Sequence, residues 1–350
     1  MGQTCRAGVF TGDGRCEVRE FPIPDPPPGG ALLQVEAVGL CGSDLGQLHG
    51  LNNVPNGMYP VVPGHEIVGR VVRLAADATL GVSEGDRVGV DEVLSTEPLR
   101  CYGVTDMTGD RRLGLWGGYG EFMQIFPGTT LHRFTTDTPA AELTLFEPLA
   151  NALNWLAAVP IAAGQSVVVQ GPGHQGLAVV AAAVAAGAHP VIVTGTSSDE
   201  LRLRAARQIG AHHVVDVQRQ DLKALVTEIT ARRGVDVVFD VTPVPHTVPL
   251  CFDLVRAQGT VVLAGLKELR SVELVTDWIP LKGLRVLGGM AYTRESMTEA
   301  VRLLNTGAID TAALRGEVLD LDRIDEAIGL LTRSLPGRDA VRVGLAHRHG

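Results

Sequence analysis

The rhythm of apolar and polar positions changes near residue 155. Before that point, apolar residues come in short runs interrupted by turn formers. Gly12-Asp13-Gly14 is a hairpin signal, and Pro22-Ile23-Pro24-Asp25-Pro26-Pro27-Pro28-Gly29-Gly30 excludes both helix and central strand. Ala31–Val38 and Ile67–Leu74 read as strands, and Gly85–Val90 as a turn running into another. Short strands with frequent glycines predict a small barrel-like β domain. After residue 155, Val167–Val169, Val191–Val193, Val214-Val215, Val237–Phe239 and Val261–Leu263 are apolar runs suited to burial on both faces. Helix-like runs such as Ser198–Ile209 and Gln220–Arg232 separate them. That alternation predicts a parallel sheet with right-handed crossovers and both faces covered. From about 290, Arg294–Thr306 and Arg323–Arg333 read as helices, the second with Asp322 as N-cap, and Val341–Leu345 as a last strand.

The stretch Gly164–Ala188 adds chemistry to this pattern. The strand Val167–Val169 breaks at Gly171-Pro172-Gly173-His174-Gln175-Gly176, and the uncharged run Leu177–Ala186 follows as a helix. Gly171 serves the tight turn, Gly173 lets backbone approach a pyrophosphate, and Gly176 lets helix and strand pack closely. Backbone N–H groups from His174 and Gln175 onward point a partial positive charge at phosphates. Glycine turns between strand and helix are common. The strand before and the apolar helix after make this one a dinucleotide-binding turn.

At 350 residues the chain is long for a single core, and two domains are expected. The net charge of −9 argues against nucleic acid or an anionic membrane as partner. No uncharged apolar run reaches membrane-spanning length, and the opening MGQTCRAGVF carries no signal core, so the expected location is cytoplasmic. Five scattered cysteines, an odd number, agree with a reducing compartment and no disulfide framework.

Cys41, His65, Glu66 and Glu147 are the candidate metal ligands. A catalytic zinc takes three thiolate, imidazole or carboxylate ligands and keeps one open position. Asp44 is spaced to orient a ligand histidine, here His65, from behind. Taken on spacing alone, Cys41 reads more readily as a small buried apolar residue, and Gly64-His65-Glu66 as an ordinary turn, than as metal ligands.

The order of motifs resembles the medium-chain dehydrogenase/reductase family, in its zinc-dependent alcohol and polyol dehydrogenase branch. Val38-Gly39-Leu40-Cys41-Gly42-Ser43-Asp44 is similar to the first zinc motif, and Pro63-Gly64-His65-Glu66 with Gly69 to the second. Gly85-Asp86-Arg87-Val88, Gly117-Gly118-Tyr119-Gly120-Glu121-Phe122 and Thr306-Gly307-Ala308-Ile309-Asp310 match family turns. Phe146-Glu147-Pro148-Leu149-Ala150 resembles the third-ligand motif of the sorbitol and threonine dehydrogenases. The resemblance implies an α/β fold: a Rossmann doubly wound parallel sheet domain (156–289) inserted in a GroES-like β-barrel catalytic domain (1–155, completed by 290–350). It makes Cys41, His65 and Glu147 the zinc ligands and places Glu66 beside the metal. Ser43 would hold the substrate hydroxyl and pass its proton outward. It also places Arg342 where it contacts pyrophosphate, or else as a solvated strand arginine, and Leu266 in the turn lining the nicotinamide. Trp116, Tyr119 and Tyr292 are candidates for the substrate pocket.

The implied function is zinc-dependent hydride transfer between a secondary alcohol (a polyol, cyclitol or similar hydroxylated metabolite) and NAD(P), by a homodimer or homotetramer acting on a small molecule. The alternatives are a zinc-free enone or quinone reductase of the same fold and a non-catalytic dinucleotide sensor. Three departures from the family pattern stand out. Asp91–Trp116, where many members hold a second zinc on four cysteines, contains only Cys101, so one catalytic zinc and no structural zinc is expected. The proton-relay histidine position is Gly46, with His49 nearby. The acidic residue that reads the adenine ribose is replaced by Gly195. Thr196, Ser197 and Arg202 follow and suit a 2′-phosphate, which favours NADP over NAD, although Asp199 and Glu200 are close enough to serve a ribose hydroxyl.

Overall fold

A computed structural model describes residues 3–51, 57–94, 96–159 and 161–347. The chain begins with β1 (Thr4–Phe10), β2 (Cys16–Pro22), β3 (Ala31–Gly39), α1 (Gly42–Leu48), β4 (Glu66–Leu74) and β5 (Arg87–Val90). The short ribbon β6 (Val93–Leu94) and β7 (Arg100–Cys101) precedes β8 (Phe122–Ile125), β9 (Leu131–Phe134) and α2 (Ala140–Leu143). Next come α3 (Phe146–Ala158), β10 (Val167–Gln170), α4 (His174–Ala185), β11 (Val191–Gly195), α5 (Glu200–Gln208) and β12 (His213–Asp216). They are followed by α6 (Leu222–Ile229), β13 (Val235–Asp240), α7 (Thr247–Leu254), β14 (Val255–Leu263), α8 (Trp278–Lys282), β15 (Arg285–Gly288) and α9 (Arg294–Asn305). The chain ends with β16 (Glu317–Leu319), α10 (Ile324–Leu331) and β17 (Val343–Ala346). Among the described residues no helix is long and apolar enough to cross a membrane.

Two compact units result: Met1–Phe146 with Leu304–Thr306 and Arg315–Gly350, and Glu147–Leu303 with Gly307–Leu314. The joints read from the sequence, 155/156 and 289/290, both fall inside the second unit.

In the first unit the main sheet runs β16-β17-β3-β4-β5-β9, with β8 paired to β3. Alternation along β4, and along β3 with a register shift after Val35, sends Val35, Val38, Ile67 and Val71 into a core with Val88, Tyr119 and Met123, all fully buried. The hairpin β1–β2 turns where Gly12-Asp13-Gly14 places it, with Phe10 opposite Cys16.

In the second unit six parallel strands run in the order β12-β11-β10-β13-β14-β15. β10 lies between β11 and β13, the point where the strand order reverses and where open α/β sheets bind ligands at their carboxyl ends. Every residue of β10 and β11 is buried. The edge strand β15 is mostly exposed, and that is why the search for apolar runs missed it.

Two local expectations are corrected. The last helix is preceded by a 3₁₀ turn, Leu321–Arg323, whose N-cap residue is Asp320 in extended backbone. Asp322 lies inside that turn and accepts from Arg6 Nη1 at 2.6 Å, so it caps nothing. The final strand begins at Val343, two residues later than expected, which leaves Arg342 outside the ladder.

Candidate metal centre and dinucleotide turn

The first unit gathers the motif residues around the end of β3. Gly39 pairs with Glu66 across β3 and β4, and a Cβ on Gly39 would fall 2.0 Å from Glu66 Oε2. Glycine is required there because the Glu66 side chain crosses that space. A carboxylate oxygen of Glu66 lies within 4.8 Å of the Cys41 sulfur and within 4.8 Å of a His65 ring nitrogen. His65 Nδ1 stands 3.4 Å from Asp44 Oδ1, so Nε2 is the nitrogen that a metal would meet. Asp44 Oδ2 accepts the Cys41 backbone N–H at 2.9 Å and the Tyr119 hydroxyl at 3.1 Å. One buried carboxylate therefore orients the thiol-bearing residue and the imidazole together.

Several acidic groups surround the buried His65. Burial alone would lower the His65 imidazole, yet Glu92 and Asp44 with the bond to Cys41 raise it well above its ordinary value. Burial pushes Glu92 up to about 7, against His65, with Cys41, Asp91 and Asp44 adding to the rise. Acidic groups crowded out of water repel one another unless a positive charge is shared among them. The donor set of thiol, imidazole and carboxylate is the one zinc prefers. Glu66 Oε2 also accepts from Arg342 Nη2 at 3.1 Å, and the same nitrogen lies 3.0 Å from Thr144 Oγ1. Arg342 is buried, which overturns its reading as a solvated strand arginine.

Other candidates take different places. Ser43 is exposed in the first turn of α1. His49 is exposed at the C-cap of α1, beside the missing Cβ of Gly14. Tyr119 is fully buried behind Asp44 and edge-on to Phe10, so it supports the ligands instead of lining a substrate pocket. Burial first, then Asp44, raises its phenol well above the ordinary value. Trp116 is likewise core, packed against Phe126. In the lobe, Cys101 is buried, and its backbone N–H donates to Thr105 Oγ1 at 2.8 Å. Asp106 collects the Thr108 and Arg111 N–H groups, and Arg100 donates to the Met107 carbonyl at 2.6 Å.

In the second unit, Glu147 follows the core residue Phe146 directly and is buried. Its Oε1 accepts from Asn151 Nδ2 at 2.8 Å, and the same amide lies 3.3 Å from Gln175 Oε1. Gln175 Nε2 donates to the Pro148 carbonyl at 2.9 Å. Asn151 and Glu92 escaped the reading of the sequence. Asn151 sits one helical turn after Glu147, a spacing that carries a signal only once Glu147 is singled out.

The glycine turn has the geometry its spacing demands. Gly171 has φ +101°, and a Cβ on Gly176 would fall 1.9 Å from the Gly171 carbonyl oxygen. Nothing stands within 4 Å of a Cβ on Gly173, so its face is open to a ligand. His174 starts α4, whose Ala and Val side chains are buried against the sheet.

At the end of β11, a Cβ on Gly195 would meet Pro172 at 2.9 Å and Asp199 at 3.0 Å, which excludes an acidic side chain. Asp199 is spent locally, with its Oδ2 accepting Thr196 N–H at 2.8 Å and Thr196 Oγ1 at 2.7 Å. Arg202, expected to face a 2′-phosphate, is buried and lies 3.7 Å from Asp199. Arg204, Arg207 and Arg219 instead line a cavity of about 490 Å³ with Thr196 and Ser197. Leu266, after β14, is 66% exposed.

Two family profiles match the chain: an alcohol dehydrogenase GroES-like domain at residues 27–135 and a zinc-binding dehydrogenase domain at 176–306. The "Probable alcohol dehydrogenase adh" of Mycobacterium tuberculosis H37Rv is 37% identical over 362 residues, covering 97% of each chain. The sorbitol dehydrogenase of Halalkalibacterium halodurans is 30% identical over 325 residues, covering 90% of this chain and 92% of that one. A structure from Sinorhizobium meliloti 1021, solved with NADP bound, superposes with a TM-score of 0.84 at 29% identity, covering 98% and 99% of the two chains. The chain belongs to the medium-chain dehydrogenase/reductase family, among its zinc-type alcohol dehydrogenases.

Proposed function

We propose that this protein oxidises a secondary alcohol, or reduces the matching ketone, with one zinc ion and NADP in preference to NAD. The observation that carries the reading is that Asp44 holds both Cys41 and His65, each within 4.8 Å of a Glu66 carboxylate oxygen at its ligand atom. When bound, zinc supplies Lewis-acid polarisation of the substrate oxygen and the dinucleotide accepts the hydride. Cys41, His65 and Glu147 would hold the metal, and Glu66, hydrogen-bonded to Arg342, would lie beside it. Asp44 stands against His65 Nδ1 and so orients the ring for ligation through Nε2. Ser43, exposed at the start of α1, receives the proton of the substrate hydroxyl and hands it to water.

The preference for NADP rests on Gly195, which has no room for a ribose-reading acid, and on the cavity of Thr196, Ser197, Arg204 and Arg219 beyond it. The hydrogen-bonded lobe around Asp106 needs no second zinc. A hydroxylated substrate of the polyol class follows from the Glu147 motif and the likeness to a sorbitol dehydrogenase. The protein is also proposed to be a cytoplasmic homodimer or homotetramer, with the exposed edge β15 and the nearby Leu281 as contact surface. A monomeric mass in solution would contradict that assembly.

A panel of secondary alcohols and polyols, followed through NADP and NAD reduction with and without chelator, tests the function. Turnover that the chelator abolishes, faster with NADP, is expected. Chelator-resistant turnover on enones would favour the zinc-free reductase.

A further inference from the structure

The carboxyl end of β13 carries a charge that the catalytic reading does not use. Asp240 is 0% exposed and is the register partner of Gln170, the residue before the glycine turn. Its Oδ1 accepts Thr242 N–H at 3.0 Å and Thr242 Oγ1 at 2.9 Å, and its Oδ2 accepts Thr247 Oγ1 at 2.7 Å. Lys267 reaches it from the loop after β14. Its side chain is only 12% exposed, and its ammonium stands 3.0 Å from Asp240 Oδ1 and 2.5 Å from the Thr242 carbonyl oxygen.

Thr242 thereby becomes a wedge between two turns. On one side, a Cβ on Gly171 would meet Thr242 Cγ2 at 2.9 Å. On the other, a Cβ on Gly265 would fall 2.2 Å from the Thr242 carbonyl oxygen. The Ala264 and Gly265 N–H groups are also tied to the Asp240 carbonyl, at 3.0 and 2.9 Å. The phosphate turn after β10 and the loop after β14 are thus held at a fixed spacing through one ammonium–carboxylate pair. A buried pair of this kind is a weak source of net stability, but losing one partner strands the other's charge. Its value lies in fixing geometry at the point where the sheet binds its ligand.

We propose that Lys267 is a positioning residue for the nicotinamide half of the dinucleotide. Through Asp240 and Thr242 it sets how far the Gly265-Leu266 loop stands from the glycine turn. Lys267 touches neither cofactor nor substrate in this role. The inference rests on the dinucleotide reading above.

The test compares wild type with Lys267→Met and with the double variant Asp240→Asn/Lys267→Met, which leaves no stranded charge if the single variant folds poorly. Each is titrated with the reduced dinucleotide and separately with the adenosine half alone, ADP or 2′,5′-ADP. The variants should bind the whole dinucleotide about tenfold more weakly and turn over about tenfold to a hundredfold more slowly, as expected for a displaced reactant. Binding of the adenosine half should stay within twofold of wild type. Equal weakening of both probes, or no change in either, overturns the proposal. A wild-type protein that binds neither dinucleotide overturns the functional reading itself, and the positioning role falls with it.

Discussion

In the first unit Cys41 and Asp44, His65 and Glu66, Tyr119, and Arg342 come from four separated stretches. The bond from Arg342 to Glu66 spans 276 positions. In the second unit the dinucleotide turn is made by six consecutive residues, Gly171–Gly176, and works through backbone shape and the space left by absent side chains. The first site depends on side-chain chemistry fixed by tertiary contacts. The second depends on local conformation fixed by neighbouring residues. The two should therefore fail independently, each without taking the other's function with it.

The largest effect should come from His65→Ala. Zinc content and alcohol oxidation should both collapse, the latter by about a hundredfold to a thousandfold, while dinucleotide affinity in a fluorescence titration stays near wild type. Loss of dinucleotide binding in that variant would break the separation. Gly176→Ala is the reverse case. Its methyl group would fall 1.9 Å from the Gly171 carbonyl oxygen, so about 1–3 kcal/mol of stability and most dinucleotide affinity should disappear. Zinc content should not change, and a normal dinucleotide affinity would show that close packing is not why glycine stands there.

Tyr119→Phe sharpens the comparison within the first unit. It removes one donor to Asp44 and should weaken zinc by about tenfold, measured by competition with a chromophoric chelator. Unchanged zinc affinity would make Tyr119 a packing residue only. The smallest effect concerns the thiols. Burial pushes Cys5 up to about 11 and Cys16 and Cys101 up to about 12, and raises Cys251 further. A raised thiol pKa keeps the neutral, unreactive form dominant below it, so at pH 8 these four should resist a disulfide reagent in the folded protein. Metal-free protein should then yield one fast thiol, Cys41, that zinc protects. Two or more fast thiols would contradict this assignment of buried and accessible cysteines.

The same contrast explains what the sequence disclosed. Gly171 and Gly176 were readable because the positive φ of the first and the contact of the second with the Gly171 carbonyl lie within one short turn. β10 and β11 were readable because a valine run buried on both faces leaves an unmistakable pattern. Edge strand β15 was hidden because it is exposed and its pairing, not its composition, makes it a strand. Cys41, His65 and Glu147 could be named as candidates from their chemistry, but only the resemblance raised them above ordinary packing and turn residues, since nothing local separates a ligand cysteine from a packing one. The inward turn of Arg342 and the supporting roles of Tyr119 and Glu92 depend on partners tens to hundreds of positions away. A pattern along the chain records that a residue is polar, and the fold decides which buried partner it meets.

The central claim is one catalytic zinc held by the first motif and no second zinc in the lobe. Elemental analysis of purified wild type and Cys41→Ala tests it most directly. About one zinc per chain in wild type, absent from the variant together with alcohol-dependent NAD(P) reduction, is the predicted result. About two per chain would contradict the self-supporting lobe, and none in wild type would contradict the metal mechanism itself.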